Sequence, residues 1–259
     1  MNGDRSTWDG IAPYPVQFPT IRFEPAESAL LIVDMQRYYL DPAGPIGTVL
    51  RQDFPALFET FYRTVTETLI PNLRQILGGY RTRGLPIVHV ATGAQRADRG
   101  DLLAHIRRRF EASPDQRVGT GGLDCSSPWQ SIVSELAPRC GEIVLIKTTR
   151  SAFTSTGLDS VLRSLRVEHL LVGGVASDGC VHLSALDASD RGYWTALLED
   201  GSATFDTELH RSAISHFGRL WGTVLTTGDV MTSLHAVAAS PGSLPVGTGH
   251  VAGHATTTR

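Results

Sequence analysis

The feature that most constrains this chain is a series of short apolar runs that alternate with segments of helical periodicity. Residues 29–33 read Ala-Leu-Leu-Ile-Val, and a mostly apolar run follows at residues 85–91. Unbroken apolar runs of this length are typical of strands covered on both faces, as in a parallel sheet. Comparable runs recur at residues 142–146, 169–173, 194–198 and 222–226.

Helical periodicity fills most of the intervals between these runs. Residues 54–82 predict one or two amphipathic helices, and shorter helices are predicted at residues 129–136, 158–165, 178–191, 207–217 and 230–237. Residues 41–45 are predicted to form a loop, and the polar, arginine- and glycine-rich residues 93–128 are the least predictable part of the domain. This alternation predicts an α/β fold, a doubly wound, mostly parallel sheet of five or six strands with helices on both faces.

The length of 259 residues fits one large α/β domain with tails. Residues 1–27 are interrupted by four prolines and are interpreted as an irregular arm. The predicted domain occupies residues 28–238. Residues 239–259 are rich in Gly, Thr, Pro and His and are interpreted as a low-complexity tail.

The composition narrows the classes of partner and location. A formal net charge of −3 leaves no broad basic field, which argues against nucleic-acid and anionic-membrane partners. Three cysteines make no disulfide framework, and residues 1–30 have no apolar signal-peptide core, so a reducing cytoplasmic location is expected. The apolar runs are also too short to span a bilayer.

Three reactive side chains stand where predicted strands end. Asp34 follows the first apolar run, Lys147 follows the third, and Cys180 falls in the first turn of the helix after the fourth. Ligands bind at the carboxyl ends of strands in open parallel sheets, and a helix N-terminus favours a thiolate and an oxyanion. Each residue alone has an ordinary structural interpretation. Asp34 could be a helix cap or ion-pair partner, Lys147 a surface lysine and Cys180 a small core residue. Together they favour a nucleophilic site.

Four ordered motifs give the chain a specific resemblance. They read LIVDMQ at residues 31–36, KTTRSAF at 147–153, TGLDSVLR at 156–163 and GVASDGCV at 174–181. In order and in position, these segments resemble the signatures of the isochorismatase-like cysteine hydrolases. The wording is nearest to the ureidoacrylate and biuret amidohydrolase branch, and the likeness covers roughly residues 28–232.

The resemblance implies a cofactor-free hydrolase that assembles as a homodimer or homotetramer. In the cysteine-bearing branch a thiolate attacks the carbonyl carbon of an amide, imide, lactam or ureido group, an amine leaves, and water hydrolyses the thioester. Carried onto this chain, it implies Cys180 as nucleophile, Asp34 as general acid/base and Lys147 as electrostatic organiser. The N–H groups of Ala176 and Cys180 would form the oxyanion hole, next to a cis peptide between Val175 and Ala176.

Four further side chains are candidate contacts to a small-molecule substrate. Gln36 and Tyr39 follow the first strand end closely enough to reach the same cleft. Arg150 and Phe153 follow the third strand end, one as a clamp for a carboxylate and the other as an apolar wall. A structural role is the alternative for Gln36, and closing a hydrophobic seam is the alternative for Tyr39.

No metal or nucleotide site is predicted. His89 lies inside the second apolar run without a second ligand at a useful spacing, so it is interpreted as a core or rim residue. His250 and His254 fall in the predicted tail, and Cys125 and Cys140 have no acid–base neighbours in the sequence. No glycine pattern matches a dinucleotide-binding or phosphate-binding loop.

Three functions are open at this point. The first is hydrolysis of a carbon–nitrogen bond in a small amide, ureido acid, imide or lactam, whose identity depends on residues 38–60 and 93–128. The second is hydrolysis of an isochorismate-type vinyl ether, against which Cys180 argues because those members generally lack the cysteine. The third is binding by a vestigial site, against which the complete set of three reactive residues argues.

Overall fold

The computed structural model describes residues 23–24, 27–111, 120–124 and 126–238. The predicted N-terminal arm, apart from three of its residues, and the predicted C-terminal tail lie outside these ranges. Within the ranges, no helix combines the length and the apolar character needed to cross a membrane.

One sheet of six strands runs through the described part of the chain. Its strands are β1 Ser28–Val33, β2 Ile87–Thr92, β3 Ile143–Lys147, β4 His169–Val175, β5 Trp194–Ala203 and β6 Thr223–Leu225. Neighbouring strands all pair in parallel, in the order β3-β2-β1-β4-β5-β6. The chain crosses from one edge of the sheet to the other side of β1 between β3 and β4, so β1 and β4 border a topological switch point. The predicted doubly wound α/β fold is confirmed.

The described residues form nine α-helices. These are α1 Arg37–Leu40, α2 Pro45–Asp53, α3 Pro55–Thr64, α4 Ile70–Arg83, α5 Ala104–Glu111, α6 Leu158–Ser164, α7 Cys180–Asp190, α8 Thr207–Leu220 and α9 Thr227–Ala238. Pro45, predicted to end a loop, instead begins α2, because a proline at the first helical position loses no intrahelical hydrogen bond. Residues 93–128, the least predictable part of the sequence, contain α5.

The predicted helix over residues 129–136 is wrong. The chain instead makes two separate 3₁₀ turns, Pro128–Gln130 and Ser134–Leu136. Between them Ile132 forms an antiparallel bridge with Gln36. That bridge keeps the intervening backbone extended, so a continuous helix cannot form.

Each face of the sheet carries its own apolar core. Successive strand residues point to opposite faces, so Leu30 and Ile32 of β1 join one cluster with α3, α4 and α9. Leu31 and Val33 join the other cluster with α6, α7 and α8. Full burial of such side chains contributes about 1.5–3 kcal/mol each. Burial on both faces explains why this strand contains no charged residue.

A widened turn joins α3 to α4. In this π-helical turn, Val65–Leu69, the Ile70 N–H donates to the Val65 carbonyl, five residues earlier. Pro71 follows in the first turn of α4, where its missing N–H and bulky ring disfavour a regular α-helical connection. The predicted helices of residues 54–82 are therefore two α-helices that continue through one irregular turn.

Gly174 allows β1 and β4 to approach closely at their carboxyl ends. Its φ is 125°, and a Cβ built on it would collide with the Val33 carbonyl oxygen. Gly174→Ala is therefore expected to lower the free energy of unfolding by roughly 2–4 kcal/mol. Gly78→Ala is the matched control, because its Cβ would meet nothing within 4 Å and alanine favours the helix by about 0.5–1 kcal/mol. Urea unfolding measures both, and equal stability of the two variants would contradict the steric requirement.

Candidate active site

Asp34 stands at the carboxyl end of β1. Its N–H still donates to the Val90 carbonyl of β2 at 2.8 Å, but its φ of 52° lies in the left-handed region that favours glycine. The side chain is buried. Backbone outliers of this kind concentrate at functional sites, and here the carboxylate meets the side chain of Lys147.

Lys147, the last residue of β3, holds this carboxylate in place. Its ammonium donates to Asp34 Oδ2 at 2.8 Å, to the Thr149 carbonyl at 3.2 Å and to the Thr92 hydroxyl. Thr92, the last residue of β2, donates in turn to Asp34 Oδ1 at 3.0 Å. Both oxygens of the Asp34 carboxylate thus accept a hydrogen bond, and the Lys147 nitrogen donates three. Each charge would be costly to bury without the other.

Lys147 is also the only lysine among the 23 lysine and arginine residues of the chain. An ammonium is a compact charge with three donors, whereas a guanidinium is a planar fork. Three acceptors converging on one buried nitrogen suit the ammonium. A single lysine in a chain otherwise rich in arginine therefore indicates a position that arginine does not fit. The prediction from the motifs did not use this signal.

Cys180 is the first residue of α7, and its thiol shares the cavity wall with Asp34, where the charges of Asp34 and Lys147 act on it. Burial and the Asp34 carboxylate raise the pKa of the thiol to about 12, against the opposing effect of Lys147. Burial alone would lower the pKa of Lys147, but Asp34 and the Cys180 sulfur outweigh it, so that pKa is raised. At neutral pH the resting site holds a protonated thiol beside an ion pair.

The turn between β4 and α7 presents backbone N–H groups beside the thiol. The peptide bond between Val175 and Ala176 is cis, as the resemblance implies. The N–H groups of Gly179 and Val181 donate to the Ala176 carbonyl at 2.9 and 3.1 Å. In the described part of the chain, the N–H groups of Ala176 and Cys180 find no acceptor. Two unpaired donors at a helix N-terminus suit an oxyanion.

A cavity of about 240 Å³ opens over Asp34 and Cys180. The rest of its wall is mostly apolar and consists of Tyr39, Phe61, Arg150, Val175, Ala176, Gly179, Ala203, Thr204 and Phe205. Burial, Asp34 and Cys180 raise the pKa of Tyr39 far above its ordinary value, so its hydroxyl stays protonated. Arg150 brings a cation to the wall, where its guanidinium donates to His105 Nε2 at 2.6 Å.

Two residues predicted to touch substrate do not line this cavity. Gln36 is buried, and its amide donates to the Thr92 and Gln130 carbonyls at 2.9 and 3.0 Å while accepting from the Thr92 N–H at 2.8 Å. Phe153 is buried in the core beside Tyr193. The structure therefore places both side chains away from the cavity. The amide of Gln36 is consumed in joining the segment after β1 to the end of β2, and the ring of Phe153 lies in the apolar core.

Several residues of the site escape the sequence prediction. The sequence predicts that β5 ends at residue 198, but the strand runs to Ala203, so Thr204 and Phe205 stand just past its carboxyl end. Similarly, β2 ends at Thr92, one residue later than predicted. Functional side chains follow the carboxyl ends of parallel strands, so the correct ends of β2 and β5 would have made Thr92, Thr204 and Phe205 candidates. Phe61 carries no such signal, because it falls on the apolar face of α3.

The histidine of β2 that was considered as a metal ligand is engaged in another contact. His89 is buried in β2 with Nε2 3.0 Å from Glu142 Oε2, and Arg81 donates to the same carboxylate at 2.6 Å. Among the residues that the structure describes, no group of three or more His, Cys, Asp or Glu side chains could hold a metal ion. Cys140 is an exposed free thiol. The remaining candidates lie outside the described ranges: Cys125, His250 and His254.

Comparison with known proteins identifies the family that carries this arrangement. A sequence model of the isochorismatase domain matches residues 28–229, most of the chain. The chain belongs to the isochorismatase family. The resemblance predicted from the four motifs is thereby confirmed.

Relatives of this isochorismatase-family chain align along nearly their whole length. It is 26% identical over 235 residues to the ureidoacrylate amidohydrolase RutB of Yersinia enterocolitica, covering 88% of this chain and 94% of the relative. A crystal structure of an isochorismatase family protein from Desulfovibrio vulgaris matches with a TM-score of 0.65 at 28% identity, over 83% of this chain and 99% of that one. A cysteine hydrolase from Pseudomonas syringae shares the fold, with a TM-score of 0.71 at 21% identity over 85% and 99%.

Proposed function

We propose that this family member is a cysteine amidohydrolase that cleaves a carbon–nitrogen bond of a small molecule through a thioester on Cys180. The observation that carries the proposal is the meeting of a thiol, a carboxylate and two backbone N–H groups at one cavity. This set supplies a nucleophile, a proton acceptor and an oxyanion site. The activity in the name of the Yersinia relative, an amidohydrolase, supports the same class of bond.

Attack begins with a proton transfer. Because the pKa of the Cys180 thiol is raised to about 12, the thiol gives its proton to Asp34 as the sulfur attacks the carbonyl carbon. The carbonyl electrons move onto oxygen, which accepts hydrogen bonds from the Ala176 and Cys180 N–H groups. One such donor typically contributes about 2.7–4 kcal/mol to the transition state. Lys147 keeps the carboxylate aimed and balances its charge.

The same proton then serves the leaving group. Collapse of the tetrahedral intermediate restores the carbonyl, breaks the C–N bond and transfers the proton from Asp34 to the departing nitrogen. Water next gives a proton to Asp34 as its oxygen attacks the thioester carbon. Collapse breaks the C–S bond, and the sulfur of Cys180 recovers the proton. The net reaction consumes one water and releases an amine or ammonia and an acid.

The cavity favours a small substrate with an anionic end. Its volume of about 240 Å³ lies below the roughly 300–1,000 Å³ of pockets for drug-sized ligands. Phe61 and Phe205, whose ring centroids are 4.5 Å apart, form an apolar part of the wall, and Arg150 supplies a cation. We therefore expect a short amide or ureido acid whose carboxylate meets Arg150 while its C–N group lies over Cys180.

Ammonia release from a panel of small amides, ureido acids, imides and lactams tests the proposal. We expect turnover of at least one class, with an acyl adduct on the Cys180 peptide detected by mass spectrometry after acid quench. Turnover without an adduct on Cys180, even in single-turnover samples, would assign hydrolysis to another nucleophile. An inactive panel, together with hydrolysis of an isochorismate-type vinyl ether, would replace the proposal with that alternative activity.

Arg150→Gln is expected to raise the KM of an anionic substrate about 10- to 100-fold with little change in kcat. The reason is that a charge-assisted contact to a remote carboxylate is made equally in the ground and transition states. Steady-state kinetics on the anionic substrate and on its neutral methyl ester separate charge from shape. A KM increase of the same size for both compounds would contradict the role of Arg150 as a carboxylate clamp.

A further inference from the structure

Ser177, in the turn between β4 and α7, is tied to α8 through its side chain. Its hydroxyl lies 2.9 Å from Nδ1 of His210, and its N–H donates to the Ala203 carbonyl at 2.9 Å. Ser177 is wholly buried, and its hydroxyl has no other partner among the residues that the structure describes. The backbone of the turn is thus fixed by β5 and its side chain by α8.

Ser177 stands directly between the two backbone donors of the site. It follows Ala176 in the chain and precedes Cys180 by three residues, so a shift of Ser177 displaces one or both N–H groups. We propose that His210 is a positioning residue of this turn, which acts through Ser177 to hold the Ala176 and Cys180 N–H groups where the oxyanion forms. The inference rests on the proposed function of those two donors. His210 lies outside the four motifs at residues 31–36, 147–153, 156–163 and 174–181.

The bond to Ser177 makes the role depend on the proton state of His210. A neutral ring can accept a hydrogen bond from the Ser177 hydroxyl at Nδ1. A protonated ring has no acceptor nitrogen, so the buried hydroxyl would have no acceptor for its hydrogen. Burial lowers the pKa of His210 below its ordinary 6.5; Asp178 opposes this effect, and Arg211 adds to it. The ring is therefore neutral at neutral pH, and kcat falls only when acid protonates it below pH 6.5.

Kinetics on the substrate found with the amide panel test the role. His210→Ala is expected to lower kcat about 10- to 100-fold and to change KM by less than about 3-fold, because misplacement by about 1 Å has this effect. His210→Asn, whose amide can reach the Nδ1 position, should restore kcat to within about 5-fold of wild type. Its kcat should no longer show the fall in acid that protonation of the histidine causes. In the Ser177→Ala protein, the further substitution His210→Ala should lower kcat by less than about 3-fold. Equal kcat losses in both backgrounds, or a loss confined to KM, would overturn the proposal.

A titration that needs no turnover separates this inference from the proposed function. Two-dimensional NMR of the His210 ring is recorded against pH for the wild-type and Ser177→Ala proteins. Loss of the hydroxyl donor removes a contact that favours the neutral ring, so the pKa of His210 should rise in the variant. Identical titrations would overturn the link between the two residues. If the pKa of His210 rose in the variant but no compound of the amide panel were hydrolysed, the link between Ser177 and His210 would stand. Only the proposed amidohydrolase activity would then be contradicted.

Discussion

Replacing Cys180 by alanine is expected to abolish ammonia release, with kcat falling by about 10⁴-fold or more. A nucleophile and its base act as one unit, so removal of the nucleophile leaves only the contribution of binding and of the oxyanion donors. The substitution removes one sulfur at the wall of an open cavity, and the fold should persist. Ammonia-release kinetics measure the effect, and thermal unfolding of the same sample reports the fold.

Cys140→Ala is the matched control for this experiment. Cys140 is a free cysteine exposed to solvent, and it is not among the residues that line the cavity. Its variant should keep the wild-type kcat. If Cys180→Ala also kept that kcat, the thioester would be ruled out, and direct attack by water with Asp34 as the base would take its place.

Lys147→Met is expected to lower the free energy of unfolding by about 3–5 kcal/mol and to inactivate the protein. Methionine preserves the length of the side chain, but it leaves the Asp34 carboxylate buried without its cation, which is the costly way to break such a pair. Lys147→Arg should inactivate as well, because a planar fork cannot place one nitrogen among the three acceptors. Urea unfolding and kcat measure both effects.

The double variant Asp34→Asn/Lys147→Met is the control for charge. It removes both members of the buried pair, so it should recover much of the stability lost in Lys147→Met while it stays inactive. If the single and double variants unfolded at the same urea concentration with equal m-values, the unpaired carboxylate would carry no penalty. In that case packing alone would account for any loss at Lys147.

The three reactive residues could be predicted because a parallel sheet gathers all its carboxyl strand ends at one edge. Asp34, Lys147 and Cys180 are far apart in the chain, yet each closely follows or ends an apolar run, and chain order is then enough to bring them together. Burial on both faces makes those runs easy to recognise. The fold and this part of the candidate site therefore follow from hydrophobic pattern and connectivity.

The direction of the neighbouring side chains could not be predicted in the same way. Gln36 lies two residues beyond Asp34, but its amide faces three backbone partners instead of the cavity. Phe61 reaches the cavity only because of how α3 packs, and the contact between Arg150 and His105 depends on where α5 docks. These features arise from tertiary packing of segments that are distant in sequence, for which a single sequence offers no periodic signal.

The burial of the only lysine has a practical consequence for chemical labelling. Lys147 is wholly buried, so amine-directed reagents can reach it only when the protein unfolds. A label on the Lys147 peptide then reports unfolding, and its urea dependence can be read by mass spectrometry without a spectroscopic probe. Selective ¹⁵N-lysine enrichment would likewise give one side-chain resonance for the whole chain, a direct reporter of the ammonium beside Asp34.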